Sequence, residues 1–154
     1  MGLGITEEHV ELSESVRRFL AQRCPREVAR AGIESLTEEL PAFWKETADL
    51  GWLALHIPES FNGQGYGLAE SAVVIEELAR ACAPGPFLAT IAASAAIHAW
   101  GDPSLQKNAL PPLAAGAVAA IAFPATSPLY AAEVDGGGAF VVSGTARPVL
   151  GGAL

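Results

Sequence analysis

Three imidazoles, one pair of adjacent carboxylates and one glycine-rich stretch are the residues whose chemistry has to be tested first. His9, His56 and His98 are widely separated. Helix-borne metal sites place two ligands about one turn apart, as in H-x-x-x-H, and turn-borne sites use C-x-x-C. Neither pattern occurs, so no metal centre is expected. Glu76 and Glu77 are neighbours. Adjacent helical residues point about 100° apart, so these carboxylates cannot address one substrate atom. The pattern predicts one acid in solvent and one in a polar pair. Ser143-Gly144 follows a strand-like run but lacks the G-x-S-x-G frame of a nucleophile elbow. Gly63, Gly65 and Gly67 alternate, and no apolar strand runs into a G-x-G-x-x-G spacing, so they mark a tight structural turn rather than a dinucleotide fingerprint. No catalytic residue emerges from residue chemistry alone.

The elements around these residues are mostly helical. Thr6 is a good N-cap, with Glu7 and Glu8 in the first turn and an apolar stripe of Val10, Val16, Phe19 and Leu20 running to about Arg23. Pro25 interrupts or restarts that helix. Thr37 reads as the cap of a second helix, with Pro41 in its first turns, Leu40, Phe43, Trp44 and Leu50 on its apolar face and Gly51 as its stop. Trp52 to Pro58 reads as an extended, buried connection. Leu68 to Ala83 is a third helix, ended by Pro84-Gly85-Pro86. Phe87 to Trp100 is apolar nearly all round, which predicts a central helix. Asp102 caps a fifth helix with Pro103 at its first position, running to about Ala115.

From Ala117 the pattern changes to strand. Ala117 to Phe123 is a short apolar run. Tyr130 to Val134, the turn Asp135-Gly136-Gly137-Gly138, and Ala139 to Ser143 read as a hairpin, and Val149-Leu150 begins another extended piece. A few strands without closure cannot bury both faces. The expectation is a mainly α chain, with a helical N-terminal domain over residues 1–116 and the beginning of an unclosed β domain over residues 117–154. Such a chain would hold only part of an active site.

Composition narrows the partners. A 51% hydrophobic fraction in 154 residues argues for a substantial core and against disorder. The net charge of −8 disfavours nucleic acid and anionic lipid, which need a basic surface. No charged n-region precedes an apolar stretch, so no signal peptide is expected at the start. Phe87–Trp100 is too short to span a bilayer, and Ala109–Ala125 is broken by Pro111, Pro112, Gly116 and Pro124, whereas a spanning helix needs about 20 apolar residues. Cys24 and Cys82 could form a disulfide, but their spacing marks neither a framework nor a metal site. Buried or half-buried thiols in a reducing cytosol fit better, and a cytoplasmic location is expected.

The order of motifs is more specific than any one of them. Leu40-Pro41-Ala42-Phe43-Trp44-Lys45-Glu46 leads into Leu50-Gly51-Trp52 and on to His56-Ile57-Pro58-Glu59. Phe61-Asn62-Gly63-Gln64-Gly65-Tyr66-Gly67 and Val73-Val74-Ile75-Glu76-Glu77-Leu78-Ala79-Arg80 follow. This succession resembles the N-terminal half of the acyl-CoA dehydrogenase family, with its "L-G-W … P-E-x-x-G-G-x-G" wording and "E-E-L-A/G-R" helix. Asp102-Pro103-Ser104-Leu105-Gln106-Lys107 and Leu113-Ala114-Ala115-Gly116 continue the likeness.

The resemblance implies a helical bundle of acyl-CoA dehydrogenase type followed by the first strands of a β-barrel domain. It implies FAD as cofactor, an acyl-CoA substrate, and α,β-dehydrogenation in which a C-terminal-domain glutamate takes the α-proton and the flavin takes the β-hydride. It implies homo- or hetero-oligomers, the flavin and base being supplied by a second acyl-CoA dehydrogenase chain or by a C-terminal region. None of this chain's glutamates takes the base role.

The resemblance implies flavin contacts at Phe123, Ala125, Thr126, Val149 and Leu150. Here the sequence departs from the family. Pro124 stands for a threonine of "T-E-P-x-x-G-S-D", and Pro148 and Leu150 stand for the tryptophan and second threonine of "G-T-K-x-W-I-T-N". Two readings follow: FAD held through other backbone contacts, or a flavin-poor partner of a heteromeric or fused dehydrogenase, similar to arrangements in actinobacterial steroid and lipid catabolism. The second is favoured, with a non-catalytic assembly module as the alternative function. A monooxygenase or nitroalkane oxidase branch of the same fold stands as a third.

Overall fold

A computed structural model describes residues 4–35, 37, 39–122, 130–134, 139–147 and 149–152. Six α-helices precede a two-stranded sheet among these residues: α1 (Glu7–Arg23), α2 (Arg26–Glu34), α3 (Trp44–Asp49), α4 (Leu68–Arg80), α5 (Phe87–Trp100), α6 (Pro103–Ala114), β1 (Tyr130–Val134) and β2 (Ala139–Ser143). The chain is mainly α, as its periodicity predicts.

Thr6 caps α1 by accepting the His9 N–H at 3.3 Å, and His9 Nδ1 accepts the Thr6 N–H at 3.2 Å. Both orphan donors are thereby satisfied, with histidine in the position usually held by Glu or Gln. Pro25 restarts the chain as α2. Asp102 caps α6 through Ser104 N–H at 2.8 Å and Leu105 N–H at 2.9 Å.

Helix α1 packs on α4, and α5 on α6. Val16, Leu20, Phe43, Trp44, Trp52, Leu53, Val74, Leu78 and Phe87 belong to one buried cluster. Phe19 meets Trp52 edge-on at 5.0 Å, and Phe43 stacks on Phe87 at 6.2 Å, so aromatic rings join α1, the α3 region and α5. Ala54, Ile57, Leu110 and Leu113 belong to a second cluster under α6.

Several expectations are corrected. Thr37 does not cap a long second helix: α3 starts only at Trp44, with Phe43 at its N-cap position. Pro41 supplies the carbonyl for the Trp44 N–H at 2.8 Å, so a turn at Pro41 nucleates a short helix. Phe43 and Trp44 are buried, but Leu40 and Leu50 are exposed. Gly51 does stop α3, in the left-handed region at φ 77°. Trp52–Ile57 is buried as expected but is not extended. Trp52–Ala54 is a single 3-10 turn, and the glycine-rich stretch bonds back onto this region, with Gln64 N–H to Ala54 O at 3.0 Å and Tyr66 N–H to Leu55 O at 2.8 Å. Gly63 lies so close that an added Cβ would sit 1.9 Å from Ile57 O, which confirms a structural turn.

Helix α5 is central only over its first half. Phe87, Thr90, Ile91 and Ser94 are buried, whereas Trp100 is 85% exposed. Cys24 is buried and Cys82 is exposed, both free, so only Cys24 matches the expected burial.

Residues 117–122 form no strand. Their described partner is helical: Ala119 N–H donates to Thr90 Oγ1 at 3.4 Å, and Trp44 Nε1 donates to Gly116 O at 2.8 Å. Phe123 lies outside the described residues. The hairpin is present, with β1 and β2 antiparallel in the register Tyr130↔Ser143 to Val134↔Ala139, its turn residues lying outside the described set. Val149-Leu150 is not extended, because Gly152 N–H bonds to Val149 O at 3.3 Å and Gly151 turns at φ 68°.

Candidate functional site

A cavity of about 810 Å³ opens beside the α4–α5 connection. Three local devices shape it. Helix α4 ends in a Schellman motif, with Ala83 N–H to Leu78 O at 2.9 Å and Cys82 N–H to Ala79 O at 3.0 Å, and Cys82 takes the left-handed position at φ 50°. Pro84-Gly85-Pro86 then crosses under α2, where an added Cβ on Gly32 would lie 2.8 Å from Pro84 Cβ. Gly85, at φ 124°, fits against Pro41, and Gly151 fits against Pro86 and Ala89.

The walls are Ala29, Gly32 and Ile33 of α2, then Ser35, Thr37, Glu39, Leu40 and Pro41, the residues Cys82 to Pro86, Leu88 and Ala89 of α5, and Leu150 with Gly151. Apolar side chains dominate. Glu39 is the one carboxylate among the described lining residues, and they include no Lys, Arg or His. The cavity therefore suits an apolar body and offers nothing to neutralise phosphate.

A buried polar bridge fixes the α5 wall. His56 is 6% exposed and lies between Ser71 of α4 and Ser94 of α5. Ser94 Oγ is 3.0 Å from both the Thr90 and Ile91 carbonyls, so its proton goes to a carbonyl and it accepts from His56 Nε2 at 2.9 Å. Nδ1 of the neutral ring then accepts from Ser71 Oγ at 3.2 Å. Burial lowers the His56 pKa, with the charge of His98 acting in the same direction.

The carboxylate pair divides as predicted. Glu76 is exposed and pairs with Arg80 one turn on. Glu77 is buried, accepts Arg17 Nη2–H at 2.8 Å, Arg17 Nε–H at 3.1 Å and Ser13 Oγ–H at 2.9 Å, and clasps α1 to α4. The Arg17 hydrogen bonds lower its pKa, with smaller help from Ser13 against the opposing effect of burial. Glu70 accepts Gly67 N–H at 2.9 Å and faces His9 Nε2 at 3.2 Å. No cluster of three or more potential metal ligands occurs among the described residues.

Of the residues expected to face a flavin, Phe123, Ala125 and Thr126 lie outside the described residues. Leu150, 67% exposed, reaches the cavity wall, and Val149 beside it is half-buried. Both side chains are apolar and offer no polar group to a cofactor. The cavity wall does not fit a phosphate tail, which needs cationic or clustered N–H donors. Cys82, Ser35 and Glu39 were not legible as cavity residues; the only sequence signal was the Pro84-Gly85-Pro86 break, which fixes where α5 begins.

The profile of the acyl-CoA dehydrogenase N-terminal domain matches residues 6–117. The chain belongs to the acyl-CoA dehydrogenase family. It is 38% identical over 98 residues to acyl-CoA dehydrogenase IpdE2 of Mycolicibacterium smegmatis, a match covering 63% of this chain and 32% of that protein. The ChsE4-ChsE5 complex from Mycobacterium tuberculosis superposes with a TM-score of 0.83 at 25% identity, over 97% of this chain and 42% of the solved one. A variant of the Tcur3481-Tcur3483 steroid ACAD gives a TM-score of 0.79 at 29% identity, over 95% and 42% respectively. The matched region thus spans about a third of the curated relative's length. No helix among the described residues is long and apolar enough to cross a membrane.

Proposed function

We propose that this chain is one component of an acyl-CoA dehydrogenase that introduces an α,β double bond into an acyl-CoA thioester, and that its cavity takes part of the apolar acyl group. The observation that carries this reading is the cavity itself: about 810 Å³, with apolar walls, no described cation and Leu150 at its edge. The open recess has room for a long or ring-bearing acyl group, and a steroid ACAD is among the structural relatives. FAD, when bound, supplies the hydride acceptor. In this reading Phe123, Ala125, Thr126, Val149 and Leu150 line the flavin side, residues 1–116 are the helical domain and residues 117–154 begin the β domain.

The flavin phosphates and the base come from residues outside the matched third of the relatives' length or from a second acyl-CoA dehydrogenase chain, and the two-component names of the solved relatives support a partner chain. The work is cytoplasmic in this reading. The 154-residue chain purified alone is expected to show no dye-linked dehydrogenation of any acyl-CoA, and measurable turnover by it would refute the partial-site assignment.

A second reading, a non-catalytic assembly module, is favoured by the exposed hairpin, where Tyr130, Phe140, Val141 and Val142 are each more than half exposed. Flavin absorbance decides between them. A yellow preparation supports the flavin-side role, and a colourless one that co-purifies with a second acyl-CoA dehydrogenase chain supports the module.

A further inference from the structure

The cavity wall is chemically uneven. The α4–α5 connection, the start of α5 and Leu150 present apolar atoms and the Cys82 thiol, while the segment between α2 and α3 presents Ser35, Thr37 and Glu39. Ser35 and Thr37 are occupied with each other. Ser35 Oγ donates to Thr37 O at 2.7 Å and accepts the Thr37 N–H at 3.2 Å. Glu39 makes no hydrogen bond or ion pair among the described residues, and no described lining residue is cationic. An exposed carboxylate without a partner among the described residues thus stands on the polar side of a recess whose remaining walls are largely apolar.

We infer that Glu39 sets which acyl groups this cavity accepts: it favours one whose far end carries a neutral donor such as a hydroxyl, and it disfavours one ending in a carboxylate. The inference rests on the reading that the cavity takes the acyl part of the thioester. An ionised carboxylate has acceptor sites only, so a hydroxyl can donate to it in a charge-assisted bond, whereas a second carboxylate cannot. Two anions beside apolar walls would also repel with no cation to offset them, in a chain that already carries a net −8. Glu39 is exposed, so water and salt screen the contact, and the preference is on the order of three- to tenfold at low salt.

Three probes test this on the purified 154-residue chain by titration calorimetry: dodecanoyl-CoA, ω-hydroxydodecanoyl-CoA and the mono-CoA thioester of dodecanedioic acid. All three carry the same CoA, so its phosphates cancel in the affinity ratios. The parent chain is expected to bind the hydroxylated probe most tightly and the carboxylated probe least, with the gap narrowing at high salt. Glu39→Gln should keep the hydroxyl preference, because its amide oxygen still accepts, and lose the discrimination against the carboxylate. Glu39→Lys should invert that discrimination. Glu39 is exposed and unbonded, so these variants are expected to fold, which circular dichroism checks. Equal parent affinities for the hydroxylated and carboxylated probes, or an unchanged ratio in Glu39→Gln, overturns the role of Glu39 while leaving the cavity reading in place if dodecanoyl-CoA binds. Failure of all three probes to bind overturns both.

Discussion

At the scale of single residues, the buried polar groups are structural and their pH behaviour follows from their surroundings. His56 is neutral in the fold because burial lowers its pKa below the ordinary value near 6.5. In the window between the lowered folded value and about 6.5, the unfolded chain binds more protons than the folded one. Stability is therefore full above about 6.5 and is lost as pH falls toward the folded value. Urea midpoints measured at pH 7.5 and 5.5 should differ for the parent chain, and the difference should shrink in His56→Phe. Glu77 behaves differently. Its buried carboxylate is held mainly by the two Arg17 hydrogen bonds, with Arg80 Nε farther off at 3.6 Å, whereas Glu76 and Arg80 form a solvated pair. Arg17→Met is expected to lower the thermal midpoint more than Arg80→Met does. In Glu77→Gln the effect of Arg17→Met should shrink, since the buried charge that Arg17 chiefly compensates is then gone.

At the scale of elements, the cavity depends on how helices end. Cys82 occupies the left-handed position that glycine usually fills after a helix. A side chain there costs about 1 kcal/mol or more, part of which glycine gives back as lost chain entropy. Cys82→Gly is therefore expected to raise the thermal midpoint slightly and to leave the helical dichroism unchanged; a clear destabilisation would mean that the thiol packs productively in the cavity wall. Helix existence was legible from Thr6, Asp102, Pro103 and Gly51 because caps act within one turn of chain. The false cap at Thr37 was illegible for the opposite reason: the segment before α3 is placed by contacts with Gly85 and Phe87, far along the chain. The strand expected from Ala117 to Phe123 is likewise absent over its described part, residues 117–122. An apolar run of strand length becomes a strand only beside another strand, and this one lies along α5.

At the scale of the whole molecule, stability resides in the helical part and the hairpin adds little to it. By register, Tyr130, Ala132, Val141 and Ser143 share one face, and Ala131, Glu133, Phe140 and Val142 share the other. Both faces expose large apolar side chains, and an isolated two-stranded ribbon is marginal in water. Phe140→Ser should leave the thermal midpoint of the chain nearly unchanged. Leu53→Ala, at a site 1% exposed within the aromatic cluster, is expected to lose about 2–5 kcal/mol by chemical denaturation. A large loss in Phe140→Ser would show that the hairpin is packed in solution.

The sequence by itself determined the family, the helix order, the division of Glu76 and Glu77, and the hairpin. Caps, glycine stops and period-2 alternation are local signals, and the motif order is a linear one. Only the tertiary structure decided that Gly32, Pro41, Gly85 and Gly151 meet around a cavity, that His56 is held between two serines, and that Leu150 and Glu39 border the same recess. Those neighbours come from chain segments more than a hundred residues apart. Their approach depends on α2 packing against the connection between α4 and α5, which no local pattern encodes.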